Sequence, residues 1–239
     1  MGNVGKVKPA LVFDFDGTMI KLFLNFNLKN TASQLKECVK KYGVDFDASS
    51  DAFDIFKAIA SALPDGDMRK SAYKEANVIL TLAELEAVKS GLPVKGVSEI
   101  FMGLYEKGYN LGIATNNSVE CVLKFLSEYC LGIKVPVVGR FGDKPELMKP
   151  NTWSLVTVMR QMGCDGKNTI FIGDTSRDYE CAVKVGCEFI GMAHSEYKRE
   201  RLMKLIAQDS IVDDYYQLKN KILCLYKYIL TIGREINEE

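Results

Sequence analysis

The chain has 239 residues, 31 basic against 31 acidic, with 47% hydrophobic and 26% charged side chains, an ordinary globular composition long enough to bury a sizeable core without staples. A formal charge of zero and the absence of any long Lys/Arg run exclude the broad electrostatic footprint of a dedicated nucleic-acid binder. The single histidine, His194, excludes a histidine-rich metal site and stands in no nucleophile elbow, so it reads as a surface or loop residue.

Residues 2–6, Gly-Asn-Val-Gly-Lys, are too short and lack the hydroxyl for a phosphate-binding loop, and Lys6 stands where a myristoylation motif needs Ser or Thr. No apolar core of a signal peptide is present. Residues 10–14 are the first of five short apolar runs that predict buried strands; the others are 110–114, 135–139, 169–173 and 187–192. The interval 21–91 predicts helices instead. Leu35, Cys38, Val39 and Tyr42 fall on one helical face, Phe53, Phe56, Ala60 and Leu63 on another, and residues 68–88 on a longer one. Pro64-Asp65-Gly66 and Gly91-Leu92-Pro93 punctuate this interval. Helical patterns at 97–107, 118–129, 151–162 and 177–185 then alternate with the later strands, and Gly108, Gly163 and Gly186 stand where helix C-caps belong.

Strands that are apolar throughout and alternate with helices predict an α/β fold, a doubly wound, Rossmann-like parallel sheet covered on both faces. The helical interval between the first two strands predicts an inserted subdomain at 21–91, with 1–20 and 92–239 forming the core. Residues 215–232 predict a last helix packed on the sheet. The apolar stretch 222–233 is too short to span a bilayer and contains Lys227. Seven scattered cysteines with no Cys-x-x-Cys pair predict reduced thiols in a soluble, cytoplasmic protein.

The chemistry gathers at strand ends. Asp14-Phe15-Asp16-Gly17-Thr18 follows the first strand, where Gly17 permits a sharp turn and Thr18 can hydrogen-bond it. Alone, this could be an Asp-Gly turn with solvated acids. The second strand ends in Ala114-Thr115-Asn116-Asn117-Ser118, where the free N–H groups of a starting helix and the Thr115 hydroxyl could hold an anion. The fourth ends in Gly173-Asp174-Thr175-Ser176-Arg177-Asp178, again acidic and again opening a helix that Thr175 or Ser176 could cap. Lys149-Pro150 precedes the helix before it; alone, such a lysine is simply solvated. In a doubly wound sheet all these strand ends share one edge, where ligands bind. Clustered carboxylates want a hard cation, Mg²⁺ best of all, and a cation, a lysine and helix N-termini together want a phosphoryl group.

The order Asp-x-Asp-Gly-Thr, strand-Thr, Lys-Pro and Gly-Asp-x-x-x-Asp resembles the haloacid dehalogenase superfamily of phosphohydrolases over about residues 9–192. The insert is similar to that family's helical cap of the phosphoglycolate-phosphatase type. The resemblance implies that Asp14 is the nucleophile and Asp16 the general acid and base. It implies that Thr115 and Lys149 hold the phosphoryl oxygens, and that Asp14, Asp16 (through its carbonyl), Asp174 and Asp178 form the Mg²⁺ site. Thr18, Asn116 and Lys21 are candidate substrate contacts. Met19-Ile20-Lys21 departs from the Leu-Val-Asp-Ser common in phosphoglycolate phosphatases, and Asn151-Thr152 lacks the usual second proline.

The expected activity is hydrolysis of a small soluble phosphorylated metabolite, phosphoglycolate-like or a sugar phosphate, through an aspartyl phosphate. The expected protein is a monomer or homodimer with no nucleic-acid or membrane partner. Rival readings are a phosphomutase of the β-phosphoglucomutase kind and a silent binding protein on the same fold. The insert is expected to act as a mobile lid, bringing groups such as Lys21 or Asn25 to the substrate.

Overall fold

The computed structural model describes residues 8–46 and 51–235, with side chains up to Leu225 in the last helix. The motif readings at residues 2–6 lie outside this range. In chain order the elements are β1 (Ala10–Phe13), β2 (Ile20–Lys21), α1 (Leu28–Lys40), α2 (Ala52–Ala62), α3 (Asp67–Ser90), β3 (Leu92–Pro93), α4 (Val97–Glu106), β4 (Leu111–Ala114), α5 (Val119–Tyr129), β5 (Val137–Val138), α6 (Trp153–Met162), β6 (Thr169–Gly173), α7 (Ser176–Val185), β7 (Glu188–Met192), α8 (Glu196–Met203), β8 (Ile211–Val212) and α9 (Tyr215–Glu235).

Six strands form one parallel sheet in the order β5-β4-β1-β6-β7-β8. Both faces of the sheet are covered, which is why β1 is apolar without alternation. Leu11 and Phe13 join a core with residues of α4, α5 and α9, whereas Val12 joins the opposite one with residues of α6, α7 and β6. The described part of α9 packs on the sheet as expected. Tyr215, Leu218 and Ile222 are fully buried, and the Tyr215 ring stacks at 6.1 Å on Phe13.

Three differences from the sequence reading have physical causes. The strand expected at 135–139 shortens to β5, an edge strand that pairs only with β4 and follows Pro136, which has no N–H to give. The sheet gains β8, two residues too few to show a period. It also gains α8, whose sequence Glu-Tyr-Lys-Arg-Glu-Arg-Leu-Met is charged nearly all round and buries only Leu202, so it carries no apolar stripe.

Helices α1, α2 and α3 form their own core around Leu35, Val39, Ile55, Phe56, Tyr73 and Leu80. The chain leaves for these helices along β2 and returns along β3, and the two strands pair antiparallel with Ile20 opposite Pro93 and Lys21 opposite Leu92. At its far end α3 joins the main core through Ala87 and Val88.

Candidate active site

The neighbours of β1 are β4 on one side and β6 on the other, so the chain switches direction there and opens a crevice at the strands' carboxyl ends. A cavity of about 320 Å³ occupies it, lined by Asp14, Asp16, Thr115, Asn116, Lys149, Asp174 and Asp178. The wall facing the sheet edge comes from the helical insert and includes Phe53, Asp54 and Lys57 of α2.

Asp14 follows β1 directly and is anchored by its N–H to the Ile172 carbonyl of β6 at 2.8 Å. The turn behind it is closed by Met19 N–H on Phe15 O at 2.8 Å and Gly17 N–H on Ile20 O at 2.7 Å. Gly17 has φ +84°, and a Cβ there would fall 2.1 Å from Asp174 Oδ2. Glycine is therefore required twice, by conformation and by the approach of a second carboxylate.

Lys149 is almost fully buried. Its ammonium bonds to the carboxylates of Asp14 and Asp178, each at 2.5 Å, and to the Ala114 carbonyl at 3.2 Å. Burial alone would lower its pKa, but the two carboxylates outweigh burial and hold it above the ordinary lysine range. Asn116 clamps this lysine's backbone, accepting from its N–H at 2.7 Å and donating to its carbonyl at 3.3 Å. Thr175 does cap α7, in a capping box with Asp178, whose Oδ2 accepts from the Thr175 hydroxyl at 2.6 Å. Asp178 thus serves the helix with one oxygen and Lys149 with the other.

Thr115 is buried on the cavity wall, donating its hydroxyl to Asn117 Oδ1 at 3.0 Å. The helix N–H groups beside it are less free than the sequence suggests. The Ser118 N–H already donates to Glu84 Oε2 at 2.9 Å, and the Asn117 N–H donates to Thr115 Oγ1 at 3.2 Å.

Three candidates fall away from the cavity wall. Thr18 is fully buried beneath the turn, and its hydroxyl has no partner among the described residues instead of bonding the turn. Lys21 lies in the β2–β3 stalk opposite Leu92, and Asn25 donates to the Ser90 carbonyl at 3.0 Å. Lys21 and Asn25 are held by the stalk rather than by the crevice.

Carboxyl oxygens of Asp14, Asp174 and Asp178 lie within 4.8 Å of one another, all three residues buried. Asp174 Oδ2 takes an ion pair from Lys198, while its Oδ1 is buried with no partner among the described residues. An orphaned buried carboxylate oxygen inside an all-oxygen cluster fits a hard divalent cation. Burial, opposed by Lys149 and reinforced by Asp178 and Asp174, pushes Asp14 up to about 7. Burial likewise pushes Asp16 up to about 6 against the Leu22 N–H that bonds it, and Asp174 up to about 6 against Lys198.

A stability prediction follows from the sign of these shifts. The folded form binds more protons than the unfolded chain between about pH 4 and pH 7, so metal-free stability should fall as pH rises through that window. The thermal midpoint without metal should be higher at about pH 5 than at pH 8, and Asp174→Asn should flatten the difference. Mg²⁺ should raise the midpoint more at pH 8 than at pH 5, because there the carboxylates are bare. Equal pH slopes for wild type and Asp174→Asn would contradict the assignment.

Sequence reasoning missed Lys198, which α8 delivers, and the buried pair Glu84–Arg140 between α3 and the loop after β5. Glu84 left one trace: it falls on the buried stripe of α3 between Leu80 and Val88. His194 stands half-buried in the loop between β7 and α8, as a loop residue should, but it is engaged: its ring lies between the Gly17 carbonyl at 2.8 Å and the Asp213 carbonyl at 2.9 Å, bracing the turn after Asp16.

Phosphoglycolate phosphatase of Salmonella typhi is 26% identical over 122 residues, 51% of this chain and 48% of that protein, so the chain spans about half the length of this relative. Pyrophosphatase PpaX of Halalkalibacterium halodurans is 28% identical over 172 residues, 71% of this chain and 76% of that protein. A solved structure of a predicted phosphatase from Clostridium acetobutylicum superposes with a TM-score of 0.61 at 19% identity, covering 91% of this chain and 99% of that one, which shows the shared fold. The sequence pattern of haloacid dehalogenase-like hydrolases matches residues 11–192, the span that carries every motif placed around the cavity, and the chain belongs to that family.

Proposed function

We propose that the chain is a Mg²⁺-dependent phosphatase that hydrolyses a small phosphomonoester through a phosphorylated Asp14. The observation that carries this reading is the pairing of buried Asp14 with Lys149 beside a carboxylate cluster holding an orphaned oxygen. A carboxylate is a weak nucleophile toward a charged phosphate until cations cancel the repulsion. Mg²⁺ held by Asp14, Asp174 and Asp178, with the Asp16 carbonyl as the family resemblance implies, would supply that charge and keep Asp14 ionised.

The steps belong to the chain's own residues. An Asp14 oxygen forms a bond to phosphorus as the substrate's ester oxygen leaves. Asp16, oriented by the Leu22 N–H at 2.9 Å, gives that oxygen its proton. Asp16 as carboxylate then takes a proton from the water that attacks the aspartyl phosphate. Inorganic phosphate leaves and Asp14 is regenerated. Lys149 holds the phosphoryl oxygens throughout, and Thr115 joins it by turning its one hydroxyl proton from Asn117 Oδ1 to a phosphoryl oxygen while its own oxygen still accepts from the Asn117 N–H, as electrostatic positioning is the main need of this chemistry.

A second anionic group on the substrate would meet two cations that line the cavity, Lys57 of the insert and Arg177 of the core. Lys57 of α2 and Arg177 of α7 both line the cavity together with Asp51 and Asp54; burial first, and then the charge of Arg177, lower Lys57 against the two carboxylates. Phosphoglycolate and pyrophosphate, in the names of the two relatives above, both carry such a group. The test is phosphate release from a panel of phosphorylated metabolites with Mg²⁺ present. Turnover should be highest for phosphomonoesters bearing a carboxylate or second phosphate, and Lys57→Met should raise KM for these about tenfold while sparing an aryl phosphate that bears no second anionic group. No phosphate release from any of them would overturn the reading.

A further inference from the structure

The pair Glu84–Arg140 is unusual for its burial. Both side chains have 0% exposure, and they join α3 of the insert to the core. Every hydrogen-bonding site on them is used. Glu84 Oε1 accepts from Arg140 at 2.7 Å and from Asn117 Nδ2 at 3.1 Å; Oε2 accepts from Arg140 at 3.2 Å and from the Ser118 N–H at 2.9 Å. Arg140 in turn donates to Asn77 Oδ1 at 2.8 Å and Thr81 Oγ1 at 3.3 Å on α3, and to the Asn116 carbonyl at 3.0 Å. Its guanidinium also lies 5.5 Å over the Phe56 ring of α2.

The direction of these bonds matters for Thr115. An ionised Glu84 can only accept, so Asn117 must turn its NH₂ toward Glu84 and its oxygen toward Thr115. The Thr115 hydroxyl oxygen is then held between the Asn117 amide oxygen, to which it donates, and the Asn117 backbone N–H, from which it accepts. On the other side Arg140 fixes the carbonyl of Asn116, the residue whose side chain clamps Lys149. One ion pair therefore reaches both groups that face the phosphoryl site without entering the cavity.

We propose that Glu84, with Arg140 as its counter-ion, is a positioning residue of the phosphoryl site. It sets the Asn117 amide, and through it the place of the Thr115 oxygen and the acceptor from which the hydroxyl proton turns to a phosphoryl oxygen, and makes α3 a fixed post of the catalytic core. This rests on the role given to Thr115 and Lys149 above. It also changes what the insert does: deleting 21–91 removes a support of the phosphoryl site along with any lid.

The test is a double-mutant cycle of Glu84→Gln and Asn117→Ala, read as kcat and KM on an aryl phosphate, with thermal midpoints to establish that each variant is folded at the assay temperature. Asn117→Ala leaves the ion pair intact, so it reports on the relay even where Glu84→Gln fails to fold. Each change should lower kcat by about tenfold or more with KM within about threefold, the scale of a misplaced rather than missing group. In the Asn117→Ala background Glu84→Gln should cost clearly less than it does alone, because its route to Thr115 is already cut and only the route through Arg140 and Asn116 to Lys149 remains. Losses that multiply, or a folded Asn117→Ala protein within about twofold of wild type, would overturn the proposal.

Orthovanadate binding in the presence of Mg²⁺, followed by calorimetry, gives a readout independent of turnover. It should weaken about tenfold in Asn117→Ala. A wild type that binds vanadate without releasing phosphate would remove the phosphatase reading but leave this arm decisive. A wild type that does neither would remove both.

Discussion

Asp14→Asn should retain the fold and lose turnover altogether, by about 10⁴-fold or more in kcat, the scale seen when a covalent nucleophile is removed. An amide oxygen cannot form the acyl phosphate, and no other carboxylate can replace it. Asp174 is engaged by Lys198, while Asp178 is committed to Lys149 and to the cap of α7. Lys149 keeps Asp178 as a partner in the variant, so its charge is not orphaned. Folding should if anything gain, since ionised Asp14 is costly where burial has pushed it up to about 7. The informative experiment therefore measures thermal midpoint and phosphate release on the same preparation. A folded Asp14→Asn protein with appreciable turnover would end the covalent mechanism, whereas an unfolded one would show Asp14 to be structural.

How legible this site is in the sequence depends on where each residue sits. Asp14, Thr115 and Asp174 follow β1, β4 and β6, neighbouring strands whose double burial makes them continuous apolar runs, and the acids and hydroxyls that end those runs stand out. Lys198 stands out from nothing, because α8 is charged nearly all round and only its place in the fold brings that lysine to Asp174. Glu84 and Arg140 are separated by 56 residues and meet only through the return of α3 to the core. A glutamate within a helical stripe signals a buried partner, but nothing in the sequence names it. The insert shows the same limit on a smaller scale. Leu35 and Val39 of the expected stripe are buried, while Cys38 and Tyr42 lie half-buried beside Glu75, and Phe53 turns to the cavity. Helical period locates a face; it does not say which edge of that face becomes a binding wall.

Asp16→Ala should lower kcat by about 10²–10⁴ with an alkyl phosphate, the usual worth of general acid–base help. The geometry suits that role better than it suits a second nucleophile. One oxygen of Asp16 is fixed by the Leu22 N–H at 2.9 Å, the residue lines the cavity, and Lys149, which would neutralise an attacking group, is bonded to Asp14 instead. Burial pushes Asp16 up to about 6, so a usable fraction still carries a proton near neutrality. Two dependences follow. With alkyl substrates, whose leaving oxygen needs the proton, the wild-type rate should decline as pH rises past the Asp16 range, and this alkaline limb should vanish in Asp16→Ala. With an aryl phosphate whose leaving group departs as the anion, the loss should shrink toward the contribution of Asp16 as base to the attacking water. Steady-state rates across pH for both substrate classes, in wild type and variant, separate these terms. Equal losses for the two leaving groups, or an alkaline limb that survives in Asp16→Ala, would show that the proton comes from elsewhere.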